Sequence, residues 1–206
     1  MKFYDLYNHY IIEGANAFSI ANYNLMQGST PVALIVGRFN PWTRGHNALL
    51  EAAVQEGKIK NIIIVLIKGK KSSEDKEKNP FDENLQKEII NRTNNPYIKA
   101  IIIESSANLP QIINNVRKLG YEPKQLWTGT DRVADYTRQL KYAEAINAKM
   151  KIFELPRNED DADVAGISAT KVRQAIRNHD YVTTRNMMIN IDPQLFEKMY
   201  QQIISR

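Results

Sequence analysis

Five short runs rich in isoleucine, valine and leucine recur along this chain: ALIVG at 33–37, NIIIVLI at 61–67, KAIIIE at 99–104, KQLWTG at 124–129 and MKIFEL at 150–155. Each is too short for a stable helix and nearly continuous in apolar side chains, the pattern of strands covered on both faces. The stretches between them carry a helical period instead. His46, Leu49, Leu50 and Ala53 fall on one face of the first, Leu85, Ile89 and Ile90 of the second, and Ile112, Ile113 and Val116 of the third. Strand and helix in alternation imply parallel strands joined by right-handed crossovers. The spacing predicts an α/β fold built on an open, doubly wound parallel sheet of five strands.

Sheets of this Rossmann-like kind bind ligands outside the carboxyl ends of their strands, where the strand order reverses. The loops after residues 37, 67, 104, 129 and 155 are therefore the ones to search. At 206 residues the chain suits one domain. We place it at residues 31–206, C-terminal helices at 168–206 included, with an N-terminal arm at 1–30 that carries Tyr4, Tyr7, Tyr10, Ile11, Ile12 and Tyr23. The arm reads as packing on the domain or on a second subunit, which would make a homo-oligomer. Asp5, Asn8, His9 and Glu13 interrupt it, so it does not read as a signal peptide.

The absence of cysteine excludes a disulfide framework, a Cys-based zinc site and a thiol nucleophile. It fits a cytoplasmic setting, and the longest strongly apolar run, Ile62 to Ile67, is far short of the roughly 20 residues of a membrane helix, so no membrane partner is expected. His9, His46 and His179 show no metal-ligand spacing, and no protein-held metal is expected. A net charge of +5 suits an anionic ligand, from a nucleotide to a nucleic acid. No basic and aromatic repeat supports the nucleic acid. The polar stretch KGKKSSEDKEKNP at 68–80 reads either as a flap, whose Lys70, Lys71 and Lys78 would close over a ligand, or as a plain solvated loop.

The loop GRFNPWTRGH at 37–46 is the densest in chemistry. Gly37 ends the first strand where the chain turns sharply, and Thr43 reads as the N-cap of the helix that follows. Arg44, Gly45 and His46 then occupy a first turn whose amide donors lack intrahelical partners and sit at the positive end of the helix dipole. That is an anion site. On position alone His46 reads equally well as a buried ring on the Leu49, Leu50 and Ala53 stripe. Neither the dinucleotide-binding glycine fingerprint nor a P-loop is present.

This loop resembles the G-x-F-x-P-x-[HT]-x-G-H signature of the nucleotidyltransferase superfamily related to class I aminoacyl-tRNA synthetases, with Thr43 where many members have a first histidine. A second stretch, ISATKVR at 167–173, is similar to the ISSTxxR of the adenylyltransferase branch. Ser168 would cap that helix, with Thr170, Arg173 and Arg177 on one stripe beside a core stripe of Ala169, Val172 and Ile176. A third, WTGTDRV at 127–133, resembles the G-x-D element on the nucleotide side of the site. Asp131 there reads also as an N-cap. The segments around TGTDRVADY and RNEDDADVAGISATKVRQAI are further similar to nucleotidyltransferase-like proteins of large tailed bacteriophages, which would place the chain in a host cytoplasm.

The resemblance implies attack by an acceptor phosphate on the α-phosphorus of a nucleoside triphosphate, with pyrophosphate leaving. His46 would donate to the α-phosphate, Thr43 would support it, and Arg173 with Ile167, Ser168 and Thr170 would hold the departing phosphates, assisted by Arg38. Gly37, Phe39, Asn40 and Gly45 would line the nucleotide, Gly129 would let it approach closely, and Asp131 would accept from ribose hydroxyls. Mg²⁺ would ride on the phosphates, which suits its preference for water and few protein ligands. The acidic run 158–163 reads as a solvated loop or a metal-assisting patch. Arg38 and Arg173 tilt the donor toward ATP and the acceptor toward nicotinamide mononucleotide, in NAD biosynthesis, with Trp127 to stack on its ring and Lys70 to contact it. The competing readings are a cytidylyltransferase acting on a small phosphorylated alcohol, and a catalytically silent nucleotide-binding or structural module.

Overall fold

The computed structural model describes residues 29–70, 74–146, 148–155 and 167–205. Most of the arm at 1–30, Lys71 and the acidic run at 158–163 lie outside them. The described chain runs β1 (Thr30–Gly37), α1 (Arg44–Gln55), β2 (Ile62–Ile67), α2 (Glu83–Asn91), β3 (Ile98–Glu104), α3 (Leu109–Lys118), β4 (Tyr121–Gly129), α4 (Thr130–Ala143), a 3₁₀ turn (Glu144–Ile146), β5 (Lys151–Leu155), α5 (Ala169–Arg177), α6 (Tyr181–Met187) and α7 (Pro193–Ile204).

All four strand pairings are parallel, and the order across the sheet is β3-β2-β1-β4-β5. The chain winds outward from β1 to β3, then returns to the far side of β1 to lay down β4 and β5. The reversal therefore falls between β1 and β4. The period of two within each strand builds a core on each face. Ala33, Ile35, Ile62, Ile64 and Leu66 pack with Leu50, Ile89, Val172, Ile176 and Leu195 from α1, α2, α5 and α7. Val32, Leu34, Val36, Ile63 and Val65 pack with Ile112, Ile113, Val116 and Tyr136 from α3 and α4. Full burial of each such aliphatic side chain contributes about 1.5–3 kcal/mol.

Helix starts follow the sequence closely. Thr43, Asp82, Asn108, Ser168 and Asp192 each accept from the amide three residues on, which satisfies one orphan donor per helix. One strand is longer than its apolar run suggested. β4 begins at Tyr121 rather than at 124, because Pro123, which cannot donate to a ladder, sits where the register slips between Val32 and Ala33.

Candidate active site

A cleft of about 520 Å³ opens over the carboxyl ends of β1, β2 and β4, at the reversal of strand order. Val36, Gly37, Arg38, Phe39 and Asn40 line it from β1 and its loop, His46 and Leu49 from α1, and Thr128 and Gly129 from β4. Asp131, Arg132 and Tyr136 line it from α4, Ala169, Thr170 and Arg173 from α5, and Lys78 and Asn79 from the 74–80 segment. Among the described residues, four full cations thus face one carboxylate, that of Asp131. The helix N-termini of α4 and α5 add partial positive charge to the same wall.

The loop that enters α1 is over-determined. Phe39 adopts φ +43°, a left-handed conformation that strains a bulky residue. Its ring lies so close over Gly37 that a Cβ there would sit 2.7 Å from it. Gly37 is thus needed for the approach of Phe39. The Phe39 ring also packs at 4.8 Å on Trp42 and edge-on at 5.0 Å to His46. Asn40, expected against the nucleotide, has its side chain committed elsewhere: Oδ1 accepts from the Phe81 amide at 3.1 Å, and Nδ2 donates to the Phe81 carbonyl.

Thr43 caps α1 and is fully buried, so it reaches the cleft only through His46. The pair forms a capping box in which a histidine takes the place usual for glutamate or glutamine. The Thr43 amide donates to His46 Nδ1 at 3.0 Å. Nδ1 is therefore an acceptor, and a neutral ring carries its proton on Nε2, at the opposite edge. The Thr43 hydroxyl lies 3.0 Å from the same nitrogen and donates to the Ile167 carbonyl at 3.3 Å, tying the two signatures together.

Arg173 is the buried cation of the second signature, with 7% of its surface exposed. Nη1 donates to the Asn40 carbonyl at 2.7 Å and Nη2 to Thr170 Oγ1 at 3.0 Å. Among the described residues no carboxylate pairs with it, and its Nε is buried without a hydrogen-bond partner. Burial, then the neighbouring Arg177 and Arg38, push its pKa below the ordinary guanidinium value. An arginine stays charged under such a push. Arg177 itself donates to the Glu77 carbonyl at 2.9 Å, which fastens the 74–80 segment to α5.

Of the remaining expected residues, Gly37, Arg38, Phe39, Asn40, His46, Gly129, Asp131, Thr170 and Arg173 meet at the cleft. Gly45 is buried in α1, Ile167 contributes its carbonyl to Thr43, and Ser168 caps α5 by accepting from the Lys171 amide at 3.3 Å. None of these three lines the cleft. Asp131 is not an N-cap; Gly129 holds that position, without a side-chain bond.

Two expectations are corrected. Trp127 does not stack on an acceptor: it is 1% exposed, lies face to face with Phe153 at 4.6 Å, and donates from Nε1 to Gln125 Oε1 at 2.9 Å. A strand covered on both faces turns such a ring into core. Lys70 is exposed and lies outside the cleft, whereas Lys78 lines it. Arg132, Tyr136 and Asn79 are cleft residues that the sequence did not single out. Arg132 stood inside the quoted WTGTDRV, and the other two carried no local signal. Among the described residues no group of three or more His, Asp or Glu side chains could hold a metal, and no helix is long and apolar enough to cross a membrane.

A family model described as cytidylyltransferase-like matches residues 34–175, which spans both signatures and the cleft. No curated protein matches the chain significantly. Solved structures do. A proposed nicotinate-nucleotide adenylyltransferase of Vibrio parahaemolyticus aligns over 84% of this chain and 96% of its own, at 12% identity and a TM-score of 0.56. A nicotinic acid mononucleotide adenylyltransferase of Plasmodium falciparum, solved with NaAD, aligns over 85% and 95% at 12% identity and 0.55. A bifunctional NMN adenylyltransferase/ADP ribose pyrophosphatase of Francisella tularensis, solved with AMP and a manganese ion, aligns over 85% of this chain and 52% of its own, at 16% identity and 0.53. At these identities the likeness speaks to the fold. With the match to residues 34–175, the chain belongs to the cytidylyltransferase-like family of nucleotidyltransferases.

Proposed function

We propose that this chain transfers AMP from ATP to a small phosphate-bearing acceptor, nicotinamide mononucleotide, to give NAD and pyrophosphate. The observation that carries the reading is Arg173: a buried guanidinium held by neutral oxygens and, among the described residues, in no ion pair, at the wall of a cationic cleft. Holding such an ion away from water without a close counter-charge is costly, and an anionic ligand would offset that cost. The choice of ATP and of a nicotinamide-type acceptor rests on Arg38 and Arg173 in the signatures, and on the adenylyltransferases among the structural neighbours.

In this reading an acceptor phosphate oxygen attacks the α-phosphorus, the bond to the bridging oxygen breaks, and pyrophosphate leaves with its electron pair. His46, protonated at Nε2, donates to a non-bridging α-phosphate oxygen as charge builds there. Thr43 is a positioning residue that fixes the His46 tautomer. Arg173, Thr170 and the start of α5 hold the β- and γ-phosphates, with Arg38 and Lys78 closing the far side. Asp131, which lines the cleft, accepts from a ribose hydroxyl in this reading. No protein nucleophile takes part, so catalysis is positioning plus charge stabilisation. One cleft carboxylate among the described residues fits a Mg²⁺ ion liganded mainly by phosphate oxygens and water, which would neutralise phosphate charge.

The experiment is a pyrophosphate-release screen of ATP and CTP against nicotinamide mononucleotide, nicotinic acid mononucleotide, phosphopantetheine and glycerol phosphate. Release with ATP and nicotinamide mononucleotide alone is expected, and His46→Ala should lower it about 10²-fold, the scale for one preorganised donor. Release with CTP and glycerol phosphate would replace the reading by a cytidylyltransferase. Nucleotide binding without release in any pair would leave a silent module.

A further inference from the structure

Gln86, on the inward face of α2, is fully buried and does not line the cleft. Its Nε2 donates to two consecutive carbonyls, those of Arg38 and Phe39, the latter at 3.0 Å. An amide nitrogen has two hydrogens, so this atom is saturated. Its Oε1 is buried and has no hydrogen-bond partner among the described residues. Turning the amide over would aim that oxygen at two carbonyl oxygens, so the loop itself fixes which way the side chain points.

The two peptide units that Gln86 grips are the ones that need holding, because they flank Phe39 at its left-handed φ of +43°. In a planar trans peptide the C=O and N–H point in opposite directions. Turning the carbonyls of residues 38 and 39 toward α2 therefore turns the amides of Phe39 and Asn40 the other way, on a loop whose residues 38–40 line the cleft. Among the described residues neither amide has an acceptor. The next carbonyl, that of Asn40, is held by Arg173. Three successive carbonyls are thus drawn inward by side chains of α2 and α5.

We infer that Gln86 is a positioning residue for the cleft: by fixing the 38–39 and 39–40 peptide planes it presents the Phe39 and Asn40 amides as a two-donor seat for a phosphate oxygen. This rests on the reading of the cleft as a nucleotide site. The sequence carried no sign of it, since Gln86 stands 46 positions after Asn40 in a plain amphipathic stretch.

The test titrates the ¹⁵N-labelled full chain with ATP and follows the Phe39 and Asn40 amide resonances together with the His46 ring. In the wild type all three should move on saturation. Gln86→Met keeps the length and apolar bulk of the side chain but donates nothing. In that variant the two amide responses should fall by more than half while the His46 response persists, and the Kd for ATP should rise about tenfold, the scale for misaligning two hydrogen bonds. A merely structural Gln86 would lower the melting temperature and leave the bound-state amide shifts as they were. A wild-type titration that moves His46 but neither amide overturns the inference and spares the cleft reading. The same holds if Gln86→Met binds ATP as tightly as the wild type with both amide shifts intact. No response at any of the three overturns the cleft reading itself. If Gln86→Met does not fold, the wild-type titration still tests the two-amide seat, and a seat that does not respond still overturns the inference.

Discussion

Arg173→Met should separate affinity from stability. The substitution removes two hydrogen bonds from a charged donor, each about 1.5–3 kcal/mol, and leaves the Asn40 carbonyl without its partner at 2.7 Å. On the other side, holding an unpaired ion away from water costs several kcal/mol. Repulsion from Arg177 and Arg38, partly offset by attraction to Asp75 and Glu77, adds to that cost, and the orphaned Nε disappears with the guanidinium. Methionine restores most of the buried chain length. The two sides nearly cancel, so the unfolding free energy should change by no more than about 2 kcal/mol, in contrast to the about 3–5 kcal/mol expected from breaking a buried ion pair such as Arg117–Glu122. Binding should respond differently. Loss of a charge-assisted contact to the triphosphate of about 2–3 kcal/mol raises the Kd for ATP roughly 30- to 150-fold. Calorimetric titration gives the affinity, and thermal unfolding with and without ATP gives both quantities, since saturating ligand should raise the wild-type melting point far more than the variant's. A variant destabilised by about 3–5 kcal/mol that still binds ATP like the wild type would make Arg173 a structural residue and refute the argument from its missing partner.

His46→Gln keeps an acceptor for the Thr43 amide, so stability should stay within about 0.5 kcal/mol of wild type in urea unfolding while pyrophosphate release falls about 10²-fold. Equal release would reduce His46 to a capping residue. Trp127→Phe loses the bond to Gln125 and should destabilise by about 1–3 kcal/mol, with the acceptor KM unchanged within about twofold; a KM that rises tenfold would restore the stacking role. Tyr136, with its pKa raised from 10.0 to about 12 chiefly by burial, remains neutral in the folded chain after it has begun to ionise in the unfolded one. Its contribution to stability is therefore complete below pH 10 and is lost as pH rises toward 12. Melting curves across that range should fall less steeply for Tyr136→Phe, and parallel curves would contradict the burial argument.

Much of the site was visible in residue order. Local rules act within a few residues, and those rules held: β-branched runs became strands, and Thr43, Ser168 and Asp192 became caps, each by accepting the amide three positions on. The loop 37–46 and the segment 167–173 could be marked as anion-binding because helix starts carry free donors wherever they occur. The start of β4 was missed because Pro123 argues locally against a strand and is accommodated only by a slip against β1. Trp127 was misread because an aromatic ring near the end of a strand looks the same in sequence whether a second layer covers it or a ligand does. Phe153, from the neighbouring strand, decides it.

The sequence by itself determined the elements, their alternation and the helix starts at 43 and 168, because hydrophobic period, caps and turns are short-range physics. Tertiary structure decided which groups remain unpaired. Only the return of the chain across β1 to form β4 and β5, and the docking of α5 that follows, set Arg173 against Asn40 and the Thr43 hydroxyl against Ile167. Only the packing of α2 brings Gln86 under residues 38 and 39. Whether a polar group is satisfied depends on what lies within 3 Å of it in space, and those neighbours lie 47 to 133 positions away along the chain.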